Sequence, residues 1–220
     1  MKEKVMYNID FNLKSEVVTW NKYQETIDKL CNQVVHKYDF ILGIFQGGYI
    51  VALSMADKIV NCSVGGIVSK ETHKTGQIIL PNFEGNVSKI VQGKRILLVD
   101  EVIDSGYSIS LCKKMLMYLN PEYVHVACLY LNVTSDELVE YYVERFNGET
   151  NYIFPWRYNR DFGSLLVDAM KRNHYYDVEE LQNLCYSTFG INIKCNIIFK
   201  VLKNSTMFEK TGNRWRLRNE

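Results

Sequence analysis

Carboxylates and hydroxyls cluster directly after the apolar run at residues 96–99. Asp100 and Glu101 stand at the predicted carboxyl end of a buried strand, the edge where open α/β sheets bind their ligands. Residues 105–108 then supply two serine hydroxyls and a glycine before a helical apolar pattern begins. The first N–H groups of a helix have no partner within it, so they suit a phosphate. The sequence therefore predicts a site for a ligand that carries both hydroxyls and a phosphate.

A second glycine turn follows the apolar run at residues 40–44, where Gln46, Gly47 and Gly48 precede a helical pattern over residues 49–60. Further apolar runs at residues 64–69, 95–99, 123–131 and 152–154 predict strands, and residues 20–37 and 108–119 predict helices. Residues 70–93 mix Gly, Pro, Asn, Lys and Thr, which indicates a long mobile loop or a hairpin. This alternation predicts an α/β fold with a central, mainly parallel sheet and helices on both faces.

The segment from Arg95 to Ser108 closely resembles the phosphoribosyl-diphosphate (PRPP) signature of type I phosphoribosyltransferases: an apolar strand, two acids, two apolar residues, Asp, Ser or Thr, Gly, any residue, Ser or Thr. The resemblance implies that Asp100 and Glu101 bind the ribose hydroxyls, and also Mg²⁺ either directly or only through those hydroxyls or water. It implies that Asp104 is catalytic and assists the incoming base. The PRPP-binding residues would be Asp100, Glu101, Asp104, Ser105, Gly106, Tyr107 and Ser108.

The resemblance extends over roughly residues 15–170 and is strongest to small xanthine, guanine or hypoxanthine phosphoribosyltransferases. It implies a pyrophosphate-binding loop at Gln46, Gly47 and Gly48. The segment at residues 153–156 resembles part of the base pocket, which assigns Phe154 and Trp156 to that pocket. Lys70 and His73 would belong to the flexible loop that closes over the substrate.

Two positions depart from the pattern of the purine enzymes. Gln46 stands where they usually carry Arg or Lys, so it supplies dipoles but no charge for pyrophosphate. The lysine that reads the purine 6-oxygen has no counterpart, and spacing places Asn132 there as the candidate for the base pocket. These departures leave the acceptor base open.

The tail predicts a separate small module, which puts a domain boundary between residues 171 and 172. Helical patterns at residues 177–189 and 191–203 precede a hairpin at residues 207–217, an order that resembles part of a winged helix. On its last strand, alternation places three arginines on one face, opposite Trp215 and Leu217. The candidates for contact with nucleic-acid phosphates are Arg214, Arg216 and Arg218; an exposed hairpin face explains them equally well.

The composition predicts a globular, cytoplasmic protein with no membrane partner, since no apolar stretch reaches the length of a membrane helix and the formal net charge is +1. Two functions remain open. The first is an enzyme that binds PRPP and Mg²⁺, transfers phosphoribose to a nucleobase and releases pyrophosphate, and the family suggests a homodimer. The second is a divergent regulator or effector, for example of a defence system, that binds PRPP or another nucleotide and whose tail contacts nucleic acid or a protein partner.

Two simpler interpretations compete with the PRPP signature. The acids after the apolar strand could be the Walker B strand of an ATPase, but the sequence lacks the G-x-x-x-x-G-K-[ST] motif. An ordinary strand followed by a capped helix would also explain the pattern, although a cap does not need three acids and a Ser-Gly-x-Ser loop.

Overall fold

The computed structural model describes residues 14–70, 75–80, 86–148 and 150–218. Its contacts group the chain into two compact units: residues 21–148, here the sheet unit, and residues 1–20 together with 149–220, here the terminal unit. The strands are β1 (Lys14–Val17), β2 (Phe40–Ile44), β3 (Ser63–Lys70), β4 (Thr75–Ile79), β5 (Arg95–Ile103), β6 (Tyr123–Asn132), β7 (Tyr141–Phe146), β8 (Thr150–Ile153), β9 (Phe208–Thr211) and β10 (Arg214–Leu217). The helices are α1 (Trp20–Gln33), α2 (Gly47–Ala56), α3 (Val87–Val91), α4 (Tyr107–Met117), α5 (Tyr158–Ala169), α6 (Val178–Phe189) and α7 (Cys195–Asn204).

The sheet unit contains a six-stranded sheet in the order β4-β3-β2-β5-β6-β7. All its neighbouring strands run parallel except β4, which pairs with β3 in the antiparallel sense. The central strands are apolar on both faces, as a covered parallel sheet requires. This confirms the predicted α/β class with a mainly parallel sheet.

Helices cover both faces of this sheet. Because side chains alternate along a strand, Leu42 and Gly43 face opposite sides. Leu42 shares a buried cluster with Ile109 and Cys112 of α4. A Cβ on Gly43 would lie 2.4 Å from the Cα of Tyr49, so α2 covers the other face at van der Waals distance from the strand backbone.

Of the two alternatives for residues 70–93, the hairpin is confirmed, because β4 pairs with β3 in the antiparallel sense. The short helix α3 in the same segment was not predicted; its first turn is capped by the Asn86 side chain. The strand β7 was also missed; only Tyr141 is fully buried among its six residues, so its apolar pattern is weak. The strand β5 extends four residues beyond the predicted end, through the acid pair to Ile103.

In the terminal unit, β1 pairs in parallel with β8, and α5, α6, α7 and the β9–β10 hairpin follow. Helix α6 begins with a capping box, in which Asp177 and Glu180 bond each other's backbone N–H. The predicted hairpin is present as β9 and β10, with a turn at Gly212, which has a positive φ of 60°. Helix α7 begins four residues later than predicted.

One apolar core joins the tail to the preceding helix. Phe162, Leu165 and Leu166 of α5 pack in the same buried cluster as Leu181 of α6 and Val201 of α7. The predicted boundary after residue 171 therefore lies inside the terminal unit rather than at its edge, and a separately folding tail stays a prediction. None of the helices in the described ranges is long and apolar enough to cross a bilayer.

Candidate functional site

The two predicted ligand loops lie at the point where the order of the parallel strands reverses. From β2 the chain adds β3 on one side, whereas β5 pairs with β2 on the other side and β6 continues outward from there. The loops that follow β2 and β5 therefore leave neighbouring strands at their carboxyl ends in opposite directions. Such a switch point opens a crevice, the usual ligand site of an open α/β sheet.

The loop after β2 lies against the acid pair of β5. A Cβ on Gly47 would lie 1.9 Å from Oε1 of Glu101, and a Cβ on Gly48 would lie 2.6 Å from the carbonyl oxygen of Val99 and 2.9 Å from Oδ1 of Asp100. Only glycine fits at these two positions without displacing a neighbour. The candidate pyrophosphate loop and the candidate ribose site are thus in direct contact.

The loop after β5 ends in a tight turn that begins α4. Gly106 has a positive φ of 70°, and a Cβ on it would lie 2.4 Å from Cδ1 of Leu138. Ser105 is exposed, and its hydroxyl accepts a long hydrogen bond of 3.5 Å from the N–H of Tyr107. The exposed start of a helix next to a hydroxyl is suited to a phosphate.

Asp104 is exposed beside this turn, and its carboxylate is oriented by a buried amide. Nδ2 of Asn132 donates a hydrogen bond of 2.6 Å to Oδ1 of Asp104 and another of 3.0 Å to the carbonyl oxygen of Gly148. Oδ1 of Asn132 accepts bonds from the N–H and the hydroxyl of Thr134 at 3.2 and 3.1 Å. Both amide hydrogens are therefore donated within the sheet unit, and contact between Asn132 and a base stays a prediction.

Sequence reasoning missed Ser135, whose hydroxyl donates a hydrogen bond of 2.6 Å to the backbone carbonyl oxygen of Asp104. Ser135 is buried, in a short 3-10 turn after β6. Its contact with Asp104 fixes the backbone of the catalytic candidate, as Asn132 fixes its side chain. A serine in a polar loop gives no periodic signal, and only the paired strands β5 and β6 bring it to this loop.

Burial raises the pKa of the Asp100 carboxyl well above its ordinary value, and the adjacent Glu101 carboxylate raises it further. The N–H of Glu101 donates a hydrogen bond of 2.9 Å to Oδ1 of Asp100, which favours the ionised form but acts against these larger effects. A carboxylate in this environment is stabilised by a cation or by hydroxyl donors. A bound metal ion, or sugar hydroxyls that donate hydrogen bonds to the pair, would therefore favour its ionised form.

The donor set also suits Mg²⁺ held jointly with a substrate. Within the described ranges there is no group of three or more His, Cys, Asp or Glu side chains that could form a complete metal site. Mg²⁺ bound with phosphates commonly takes only one or two carboxylates and fills its remaining positions with water and phosphate oxygens. Asp100 and Glu101 meet that requirement.

The aromatic candidates for the base pocket belong to the terminal unit. The rings of Phe154 and Trp156 stack with centroids 4.7 Å apart and planes inclined by 15°. Phe154 is fully buried, so its ring holds one face of the Trp156 indole in a fixed position. Their contact with a base stays a prediction, as does the loop role of Lys70 at the end of β3; His73 lies outside the described residues.

Acidic side chains hold two of the three candidate arginines for nucleic acid. Nη2 of Arg214 lies 2.9 Å from Oε1 of Glu180, and Nε of Arg216 donates to Oε1 of Glu209. Arg218 is exposed at the end of β10. The alternation is as predicted, with Trp215 buried, but the paired arginines present less positive charge than their number suggests.

Several known proteins share this fold. The model of the phosphoribosyl transferase domain matches residues 16–162. A purine phosphoribosyltransferase from Pyrococcus horikoshii Ot3 is similar in structure, with a TM-score of 0.55 and 25% identity over 66% of this chain and 94% of that one. The xanthine-guanine-hypoxanthine phosphoribosyltransferase of Helicobacter pylori has a TM-score of 0.52 at 15% identity, over 69% of this chain and 97% of that one.

A hypothetical protein from Neisseria gonorrhoeae with bound ppGpp also shares the fold, with a TM-score of 0.52 and 21% identity over 66% of this chain and 89% of that one. The family match covers more than half of the chain, and it contains both ligand loops and the acid pair. The chain therefore belongs to the phosphoribosyltransferase family.

Proposed function

We propose that this protein binds PRPP with Mg²⁺, transfers its ribose-5-phosphate to a nucleobase and releases pyrophosphate. The observation that carries the proposal is the contact between the glycine loop after β2 and the acid pair of β5. It puts a candidate anion site next to candidate sugar-hydroxyl acceptors, as the transfer of a phosphoribosyl group requires. The family match and the similar purine phosphoribosyltransferase support the same reaction class.

In this mechanism the residues around the start of α4 hold the 5-phosphate. Its first N–H groups and the hydroxyls of Ser105 and Ser108 donate hydrogen bonds to the phosphate oxygens. Asp100 and Glu101 accept hydrogen bonds from the two ribose hydroxyls. A sugar gripped at both ends presents its anomeric carbon in a fixed orientation, which lowers the entropic part of the barrier.

Transfer forms a bond between a base nitrogen and the anomeric carbon while the bond from that carbon to the pyrophosphate oxygen breaks. The electron pair leaves with pyrophosphate, which the backbone N–H groups at Gly47 and Gly48 and the amide of Gln46 receive. Asp104, oriented by Asn132, accepts the proton that the base nitrogen loses. Mg²⁺, held by Asp100 and Glu101, would neutralise the negative charge of the leaving group.

The proposed reaction is tested by pyrophosphate release from PRPP and Mg²⁺ with the purified protein, measured against a panel of purine and pyrimidine bases and without a base. We expect release together with a 5′-nucleotide for at least one base. Release without any base would instead indicate PRPP hydrolysis. If PRPP binds without any release, the transferase proposal is wrong and the site serves sensing.

The second candidate function, a regulator whose tail contacts nucleic acid, is favoured by one arrangement in the terminal unit. The order is α5, an isolated bridge of Tyr176 to Trp215, α6, α7 and the β9–β10 hairpin, as in a winged helix. The ion pairs of Arg214 and Arg216 reduce the positive charge that the arginine face offers to phosphates. The test is salt-dependent binding of DNA or RNA by the full chain, compared with a variant in which Arg214, Arg216 and Arg218 are all Gln.

A further inference from the structure

A cleft of about 400 Å³ lies within the terminal unit, and the family match does not reach one of its walls. That wall is α7 with the residue before it. The other wall is formed by residues 19–20 at the start of α1 and by residues 155–159, which run from the turn after β8 into α5. Its lining residues are Thr19, Trp20, Pro155, Trp156, Tyr158, Asn159, Lys194, Asn196, Ile197, Lys200, Val201 and Asn204. We call it the α7 cleft.

The α7 wall is polar and positively charged. Asn196, Lys200 and Asn204 are spaced four residues apart, so they lie on one face of the helix, and all three are exposed. Lys194, at the N-cap, adds a second ammonium group. Among the residues that the structure describes, no Asp or Glu lines the cleft beside the two lysines. This wall is suited to an anion.

The opposite wall is aromatic. Trp156 is held in place by its stack on the buried Phe154, and the ring of Trp20 lies 6.1 Å from that of Trp156 at an angle of 54°. The side chain of Trp20 is 58% exposed, which is a large apolar surface to leave in water. Planar heteroaromatic rings stack on such indoles with little dependence on their exact identity.

A ligand that satisfies both walls must carry a planar ring system at one end and negative charge at the other. The volume of the cleft is within the range of small-molecule pockets and is sufficient for one nucleotide. We propose that the α7 cleft binds a single nucleotide, with its base against Trp20 and Trp156 and its phosphate on Lys194 and Lys200. Trp156 is also a candidate for the base pocket, but the phosphate position on Lys194 and Lys200 lies outside the family match and takes part in no step of the proposed transfer.

The experiment must separate this site from the candidate phosphate site at residues 105–108, here the phosphate loop, which is also expected to bind nucleotides. We would therefore use the full chain with Ser105→Glu, in which the new carboxylate repels phosphate from the start of α4. Titration calorimetry with AMP, GMP and UMP, and quenching of tryptophan fluorescence, then measure binding elsewhere. The chain has three tryptophans, and the third, Trp215, is buried in the core and reports on folding.

In this background we expect one nucleotide to bind per chain. Lys200→Glu weakens the binding by about tenfold or more, because an ammonium that pairs with phosphate becomes a carboxylate that repels it. The matched control is Lys203→Glu, which makes the same charge change on the same helix outside the lining and is expected to alter the affinity less than about twofold. Trp20→Ala reduces both the affinity and the quenching.

Three results would overturn the proposal. The first is that Ser105→Glu alone abolishes all nucleotide binding. The second is that Lys200→Glu and Lys203→Glu weaken binding equally, which would indicate a general charge effect. The third is that a ten-residue single-stranded oligonucleotide binds while the mononucleotides do not, since the cleft would then be part of a nucleic-acid surface. Lys200 is exposed, and an unchanged melting temperature would verify that each variant is folded.

Discussion

The amide of Asn132 and the carboxylate of Asp104 form a hydrogen bond of 2.6 Å between neighbouring strand ends. Asn132 is buried and Asp104 is exposed, so the bond fixes an accessible carboxylate from a rigid position. In the proposed mechanism Asn132 acts as a positioning residue through Asp104, and its own contact with a base stays a prediction.

Replacing Asn132 should affect catalysis more than PRPP binding. We expect Asn132→Ala to lower kcat by about tenfold to a hundredfold with a small change in the KM for PRPP, because Asp104 loses its orientation. In Asn132→Asp a second carboxylate faces Asp104 and disfavours its ionised form, so the acidic limb of the pH–rate profile should move to higher pH. An unchanged profile in Asn132→Asp would show that Asp104 is not the proton acceptor.

Replacing Gly47 should impair substrate binding and leave the fold largely intact. In Gly47→Ala the new Cβ displaces the Glu101 side chain, which can rotate away, so we expect the KM for PRPP to rise by about tenfold or more. In Gly48→Ala the new Cβ instead meets backbone atoms of Val99, so this variant should have a lower melting temperature.

The control for a glycine-to-alanine change within a helix is Gly163→Ala, where the only close contact of the new Cβ is with the flexible end of Met207. Equal kinetics for Gly47→Ala and Gly163→Ala would contradict the site.

The site carboxylate Asp100 should make the protein less stable as the pH rises. The pKa of the Asp100 carboxyl in the folded protein lies above its ordinary value, so the folded state holds a proton that the unfolded chain releases. Stability therefore falls as the pH rises from about 4 through the folded pKa. Asp100→Asn removes this cost, and we expect its melting temperature to exceed that of the wild type at pH 8, with the difference closing toward pH 4. Thermal unfolding across that range measures it, and a variant less stable than the wild type at pH 8 would contradict the assigned burial.

The tail should be required for solubility. A chain ending at residue 171 leaves Phe162, Leu165 and Leu166 without their partners in α6 and α7, which exposes a large apolar surface. We expect this truncation to aggregate, whereas removal of residues 218–220 alone should be tolerated. Soluble yield and gel filtration distinguish the two. A soluble, monodisperse chain of 171 residues would establish the predicted boundary as an independent folding limit.

The sequence predicted the sheet class and the two ligand loops because both depend on local patterns. The apolar runs before Gln46 and Asp100 are continuous, which predicts buried strands. The glycines and acids that follow them are residue types that commonly contact phosphates and sugar hydroxyls. The contact of Gly47 with Glu101 depends on β2 pairing with β5 across intervening strand and helix segments, which no local pattern specifies. The same applies to the hydrogen bond between Asn132 and Asp104, which no local pattern indicated; contact of Asn132 with a base stays a prediction.

The tail shows the same limit. Alternation correctly separated Arg214 and Arg216 from Trp215, but the ion pairs with Glu180 and Glu209 need the helix and the hairpin to be placed together. The α7 cleft is likewise formed by three segments that are far apart in the sequence, at residues 19–20, 155–159 and 194–204, so no local pattern predicts it.

The most direct test of the central claim is titration calorimetry of PRPP, with and without Mg²⁺, into the wild type and a matched pair of variants. Gly106 and Gly93 both have positive φ, so Gly106→Ala and Gly93→Ala carry similar backbone strain, but only the first has its Cβ at the phosphate loop. We predict one Mg²⁺-dependent site that Gly106→Ala weakens by about tenfold or more and that Gly93→Ala preserves. Absence of PRPP binding by the wild type, or an equal loss in both variants, would contradict the assignment of this loop.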